Sequence, residues 1–273
     1  MKIVYLTGAS GFIGKHLTET LSPYFQVIPI PHHLITRAKY KDFHSFVFLS
    51  GYGNHYQQKD FEETYTSNMY HLFTTLRKIR DRKFKTFIHI STSSVTLPQQ
   101  TVYSATKLAG EILVDAFAKE FKLPAFSVRP YSIFGEGEAD SRFIPTIIRN
   151  HVEGVKSKLD PEPVHDWVYV KDFADAILYL IKSKEKPTAP VSVGYGLGRK
   201  NSWVYANIED IMKKSHAYDT IKGMRSYDNQ LWFKQGVDGL DLIGWAPKIG
   251  FEEGLKRTVK FYTEKYDQQT SQV

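Results

Sequence analysis

The chain has 273 residues, 42% hydrophobic and 24% charged, which suits one large domain or two intimately packed lobes with a sizeable core. It contains no cysteine, which excludes disulfides, thiol nucleophiles and Cys-ligated zinc or iron–sulfur centres. The net charge of +7 favours anionic partners in principle.

The first apolar run, Lys2–Thr7, reads as a buried strand. Its core Ile3–Leu6 is too short for the apolar region of a signal peptide. No run approaches the roughly 20 apolar residues that span a bilayer, so the expectation is a cytoplasmic protein. Phe12–Leu21 has a helical pattern, and Gln26–Ile30 is a second short strand. Phe46–Ser50 is a third strand, and Phe61–Arg80 is a long helical pattern. Fifteen residues separate Ile30 from Phe46, and a crossover takes at least about 10–12, so one sheet edge is expected to be trimmed.

The densest basic run, Arg77–Lys85, lies between a helical and a strand pattern and reads as a solvated helix end. A single aromatic, Phe84, lies in it and the other aromatics fall in apolar periodic segments, so no nucleic-acid partner is implied. Lys85–Ile90 is strand-like, Tyr103–Phe121 helical and Ala125–Arg129 strand-like. Beyond Arg129, Gly135–Asp140 and Leu159–Pro163 read as loops, and Trp167–Ile181 as a short strand and a helix. Val191–Gly198 is a strand running into a glycine loop, with helices near Val204–Ser215 and Glu252–Tyr266. This alternation predicts an α/β fold: a Rossmann-type doubly wound parallel sheet and a smaller C-terminal substrate-binding lobe. The sheet domain is expected over 1–130 with 164–193, and the lobe over 131–163 with 194–273.

TGASGFIG sets Gly8, Gly11 and Gly14 three apart, after a buried strand and at the start of a helix. A tight turn and close approach to a pyrophosphate need residues without Cβ, and the free N–H groups of a helix start face the phosphates. NAD or NADP is the expected ligand. At the end of the second strand an acid would read a ribose 2′-hydroxyl, whereas bases would accept a 2′-phosphate. Here Pro31-His32-His33 is followed by Arg37 and Lys39, with no acid before Asp42, which leans toward NADP.

Tyr103 and Lys107 lie one helical turn apart on one face. An ammonium there would stabilise the phenolate and fit Tyr103 for proton transfer as hydride moves. Tyr218 and Lys222 repeat the spacing, so context must decide, and only Tyr103 follows the strand-and-hydroxyl run FIHISTSSV. The hydroxyls of Ser91–Ser94 stand at a strand's C-terminal end, where ligands of open α/β sheets bind. No metal site is expected.

At this point the chain resembles the extended short-chain dehydrogenase/reductase family, in its NAD(P)-dependent nucleotide-sugar epimerase/dehydratase/reductase branch. The resemblance rests on TGASGFIG, FVFLSG at 46–51, Asn68 in its helix, YSATKLAGE at 103–111 and VRPYSIFGEG at 128–137. DWVYVKDFADAI at 166–177 and LIGWAPKIGFEEGL at 242–255 extend it nearly to the end. It implies Tyr103 as acid/base, Lys107 on the nicotinamide ribose, and Thr92 as the catalytic hydroxyl, with Ser93 the close alternative. Gly8, Ser10, Gly11, Phe12, Ile13, Gly14, His32, Ser50, Gly51, Asn68 and Pro130 would join Lys107 on the cofactor. Ser93, Ser132, Phe143 and His165 would touch the substrate. A homodimer through the helices at Phe61–Arg80 and Tyr103–Phe121 is also implied.

The chain departs from the family in places. Thr96-Leu97 replace Tyr-Gly after Val95, and eleven positions separate Thr92 from Tyr103, shortening a loop. Ser132 replaces an asparagine, and His165 stands where an arginine commonly meets the nucleotide diphosphate. Dehydratases carry an acidic pair where this chain has Ser93 and Ser94. The expected activity is hydride transfer on a nucleotide-activated sugar: 4-keto reduction, or C4 epimerisation. A carbonyl reductase for a non-sugar substrate and a non-catalytic dinucleotide sensor are the alternatives.

Overall fold

The computed structural model describes residues 1–55, 57–223, 231–236 and 239–270, so part of the expected 194–273 lobe lies outside the described residues. In chain order they form β1 (Ile3–Thr7), α1 (Phe12–Leu21), β2 (Gln26–Ile30), β3 (Ser45–Phe48), α2 (Phe61–Tyr65), α3 (His71–Ile79), β4 (Thr86–Ile90) and α4 (Val102–Glu120). Then come β5 (Ala125–Pro130), β6 (Ser132–Phe134), α5 (Phe143–Glu153), β7 (Ser157–Leu159), β8 (Val164–Tyr169), α6 (Val170–Lys182) and β9 (Val191–Val193). The chain closes with β10 (Gly198–Lys200), α7 (Asn201–Met212), β11 (Tyr218–Thr220), β12 (Leu231–Trp232), α8 (Gly239–Leu242) and α9 (Phe251–Thr270).

Two compact units share these elements: Met1–Pro130 with Ala174–Val193 and Val237–Ala246, and Tyr131–Phe173 with Gly194–Gly236 and Pro247–Val273. Strand β8 therefore belongs to the second unit. The first unit holds a parallel six-stranded sheet in the order β2-β1-β3-β4-β5-β9. This is the doubly wound order 3-2-1-4-5-6 without its strand 3, and with β9 added beyond the last strand. Between β2 and β3 there is only a 3-10 turn at His32–Leu34, so the trimmed edge is real. Every residue of β3 and β4 is buried, as befits central parallel strands covered on both faces. Phe46, Phe48, Phe87, Leu72, Leu76 and Ile79 join one core beneath α3, each burial worth roughly 1.5–3 kcal/mol.

The long helix expected over Phe61–Arg80 is present but not regular. A π-turn at Thr66–Tyr70 joins α2 to α3, a local widening that often marks a functional site. The strand and glycine loop expected at Val191–Gly198 are β9 and the irregular residues 194–197, after which Gly198 opens the short strand β10.

In the second unit β10, β8 and β12 form a path, with β6 also paired to β8. Helices α5, α7 and α9 pack together, and α9 lies on β8. Asp172, 1% exposed, ties this unit together. Its carboxylate accepts from the N–H groups of Lys248, Ile249 and Gly250 at 2.9–3.0 Å and from the Tyr195 hydroxyl at 2.7 Å. A buried carboxylate so surrounded has its lone pairs matched by donors.

Candidate active site

The glycine loop fits a pyrophosphate on steric and hydrogen-bonding grounds. Gly8 has φ +70°, a conformation that favours glycine. A Cβ on Gly14 would stand 2.0 Å from the Gly8 carbonyl oxygen and 2.7 Å from the Ala9 Cα, so α1 can abut the turn only through glycine. Gly11 donates its N–H to the Gly8 carbonyl at 3.1 Å. The N–H groups of Phe12, Ile13 and Gly14 take no partner among the described residues, which leaves a helix start ready for an anion. Ser10 is exposed beside them.

Thr7 couples this loop to the next strand end. Its Oγ1 accepts the N–H groups of Leu49 and Ser50, each at 3.0 Å. A Cβ on Gly8 would lie 3.3 Å from the Ser50 nitrogen. Gly51 is equally confined: its Cβ would come within 3.3 Å of Asn68 Oδ1 and 3.7 Å of Lys107 Nζ. The glycine loop, Ser50-Gly51, Asn68 and Lys107 are thus gathered at the C-terminal ends of the parallel strands, where this fold class binds ligands.

Asn68 sits within the π-turn and is fully buried. Its amide donates to the Tyr52 carbonyl and to Thr106 Oγ1, both at 2.9 Å, and its Oδ1 accepts the Tyr52 N–H at 3.0 Å. Asn68 therefore clamps the segment after β3 to α4.

Tyr103 is the second residue of α4, whose start is closed by a capping box between Thr101 and Ser104. The positive end of a 19-residue helix favours a phenolate there. Lys107, 2% exposed, places Nζ 3.2 Å from His89 Nε2. His89 is wholly buried, and burial followed by the Lys107 charge pushes its pKa well below the usual range. The neutral ring then accepts from Lys107 at Nε2 and donates Nδ1–H to Ser127 Oγ, 3.0 Å away. Gly110 makes room for this ring: a Cβ there would lie 3.0 Å from both His89 Cε1 and Leu72 Cδ2. Burial lowers the Lys107 pKa from 10.5 to about 7, with Glu111 opposing. Its charge can thus assist a phenolate most fully below neutral pH.

All four hydroxyl residues after β4 are buried. Thr92 caps a 3-10 turn at Ser93–Thr96, its Oγ1 accepting the Ser94 N–H at 3.2 Å and lying 3.0 Å from Ser94 Oγ. That turn packs against α4, with Ser93 1% exposed. Pro130 closes β5 and is buried opposite Val193.

His32 lies two residues past the end of β2 and is paired in an unexpected way. Its Nε2 stands 3.3 Å from Glu63 Oε1 of α2, and its ring meets that of His71 edge-on at 4.6 Å and 70°. Ser67 Oγ donates to the same Glu63 oxygen at 2.5 Å.

The residues expected on the substrate converge within the second unit. Phe143 stacks on Trp167 at 5.4 Å, and His165 meets Trp167 at 5.5 Å and Trp232 at 5.3 Å. Ser132 is the register partner of Trp167 in the β6–β8 pair.

The spacing of the sequence does not point to His89, Ser127, Thr106, Glu63 or His71. Each acts through a contact 18 or more positions away. Among the described residues no group of His, Asp and Glu forms a metal site, and no helix is long and apolar enough to cross a membrane.

The profile of the NAD dependent epimerase/dehydratase family matches residues 46–194. A dTDP-glucose 4,6-dehydratase of Haemophilus influenzae is 27% identical over 174 residues, covering 59% of this chain and 51% of its own. The Homo sapiens dTDP-D-glucose 4,6-dehydratase is 21% identical over 233 residues, covering 76% of this chain and 64% of its own. The chain spans about half the length of the first of these. Among solved structures, a UDP-N-acetylglucosamine 4-epimerase from Methanobrevibacter ruminantium M1 superposes with TM-score 0.86 at 20% identity, covering 97% of this chain and 99% of that one. A UDP-glucuronic acid 4-epimerase from Bacillus cereus, solved with UDP-glucuronic acid and NAD, gives 0.84 at 20% identity, covering 97% and 100%. The glycine loop, the Asn68 clamp and the Tyr103–Lys107 helix therefore stand in a chain that belongs to the NAD-dependent epimerase/dehydratase family, in the extended short-chain dehydrogenase/reductase branch.

Proposed function

We propose that the chain is an NAD(P)-dependent oxidoreductase of the cytoplasm that acts at C4 of a nucleotide-activated sugar, by 4-keto reduction or C4 epimerisation. The observation that carries this reading is the convergence of Gly51, Asn68 and Lys107 at the strand ends next to a glycine loop with unpartnered N–H groups. The bound nicotinamide supplies or takes the hydride. Tyr103 gives its hydroxyl proton to the C4 oxygen during reduction and takes it back during oxidation. Lys107 holds the nicotinamide ribose and lends charge to the phenolate. Thr92 orients the C4 oxygen by hydrogen bonding, with Ser93 as the nearby alternative. Ser132, Phe143 and His165 hold the sugar nucleotide around Trp167.

The relatives named dehydratases point to a different outcome on the same scaffold. Elimination needs groups that move protons at neighbouring carbons. Ser93 and Ser94 stand in place of the acidic pair, and a serine hydroxyl ionises too far above neutral pH to serve as an efficient general acid or base. The same scaffold here supports hydride chemistry without dehydration.

Homodimerisation through α2–α3 and α4 belongs to this proposal. Phe61, Tyr65, Tyr70, Phe73 and Ile112 are 43–69% exposed on those helices, more apolar surface than a helix turned to water usually shows.

The test is a panel of nucleotide 4-keto-6-deoxy sugars and nucleotide hexoses with each reduced or oxidised cofactor, followed by nicotinamide absorbance and product analysis. Turnover that falls at least 100-fold in Tyr103→Phe, with cofactor binding kept, supports the assignment. Unchanged turnover in that variant removes Tyr103 as the proton donor.

A further inference from the structure

The geometry points to Glu63 as the carboxylate that reads the adenosine ribose, biasing this chain toward NAD(H) over NADP(H). The inference rests on the dinucleotide reading above and deepens it. In this fold the selecting acid is carried at the end of the second strand. That position here is His32, which cannot play the part itself. The acid arrives instead from helix α2, with Glu63 Oε1 3.3 Å from His32 Nε2.

Three features make Glu63 suited to the task. It is held: Ser67 Oγ donates to Oε1 at 2.5 Å, and Asp60 Oδ1 accepts the Glu63 N–H at 3.0 Å, fixing the start of α2. Ser67 lies in the π-turn at Thr66–Tyr70, and His71 is the residue that follows it. Next, Glu63 has capacity to spare, because Oε2 takes no partner among the described residues. Beside it, His71 Nδ1 is also unpartnered, in a side chain only 6% exposed. Two open polar atoms, one of them an obligate acceptor, match the two vicinal hydroxyls of an adenosine ribose. Finally, the surrounding charge disfavours a 2′-phosphate. Glu62 and Glu63 both occupy the first turn of α2, behind Asp60. Burial keeps His71 below its ordinary pKa, so its ring adds no positive charge beside Glu63 near neutral pH.

The bases that lean the bare sequence toward NADP take no part in this cluster. Among the described residues no ion pair joins His33, Arg37 or Lys39 to His32 or Glu63. The loop that carries Arg37 is itself engaged elsewhere: Lys78 Nζ donates to the carbonyls of Thr36 and Ala38, at 2.5 and 2.9 Å.

The experiment titrates the full chain with NADH and NADPH, reading quenching of tryptophan fluorescence. The variants are Glu63→Gln, Glu63→Asp and, as control, Glu62→Gln. The expected result is at least tenfold tighter binding of NADH by the natural chain. Glu63→Gln should cut that ratio about tenfold, chiefly by weakening NADH, while Glu62→Gln leaves it in place. Glu63→Asp, which keeps the charge but retracts it by one methylene, should lie between, and it carries the test if Glu63→Gln fails to fold. Tighter NADPH binding by the natural chain, or an unchanged ratio in the folded Glu63 variants, overturns the role of Glu63 while leaving the dinucleotide reading intact. Failure of both nucleotides to bind overturns the dinucleotide reading and this inference with it.

Discussion

Replacing Lys107 with Met should stabilise the protein at neutral pH. Burial drags the Lys107 pKa from 10.5 to about 7. At about 1.36 kcal/mol for each tenfold change in proton affinity, that drop corresponds to at most roughly 5 kcal/mol of folding free energy at pH 7. Methionine has a similar reach and no charge to bury. It also leaves His89 Nε2 without its donor at 3.2 Å, a loss of about 1–3 kcal/mol. The net expectation is a gain of about 1–3 kcal/mol at pH 7. The sign of the pH dependence follows from proton counts. Between pH 7 and 10.5 the folded state holds fewer protons at Lys107 than the unfolded state, so natural-chain stability rises with pH across that window. The advantage of Lys107→Met should therefore shrink as pH rises and vanish or reverse near pH 9.5. Urea unfolding of both proteins from pH 6 to 9.5 measures the difference. A variant less stable at pH 7, or a difference that does not change with pH, would refute the reasoning.

The opposite slope is expected at Glu138. Burial raises its pKa from 4.5 to about 8, so the folded state keeps a proton that the unfolded state releases, and stability is lost as pH rises across that range. Glu138→Gln should flatten the fall in Tm between pH 4.5 and 8, and an unaltered profile would dismiss the buried acid as its source. Gly14→Ala puts a Cβ 2.0 Å from a carbonyl oxygen and should cost at least about 3 kcal/mol in denaturant unfolding; an unchanged midpoint would mean that α1 does not abut the turn. Asn68→Ala removes three hydrogen bonds around the segment after β3 and should cost about 2–4 kcal/mol by the same measurement. A loss below about 0.5 kcal/mol would sink the clamp.

The sheet was legible because its signals are local. Buried strands such as SFVF and TFIHI are short, mostly apolar and β-prone, and the glycine spacing marks a turn that only glycine can make. The short gap before Phe46 likewise gave away the missing edge strand, since a crossover has a minimum length. What stayed hidden depends on distant partners. The π-turn at Thr66–Tyr70 leaves no periodic mark in an otherwise regular helix pattern. His89 reads as one polar residue in a strand until Gly110 and Lys107 are brought to it. The second strand's missing acid could be counted along the chain, but the carboxylate that arrives there from 31 positions on could not. Short strands such as β6, β7 and β10, three residues each, carry too little pattern to announce themselves.

The absent outer strand has a consequence for self-association. It leaves β2 as the rim of the sheet, with one row of backbone groups unclaimed by any strand among the described residues. Such rims recruit strands from other chains unless something interrupts them. In QVIPI the interruption is Pro29, which has no N–H to offer, within a strand only five residues long. A visiting strand would find a broken ladder there. The shortened sheet therefore offers a second strand a poor template on that side.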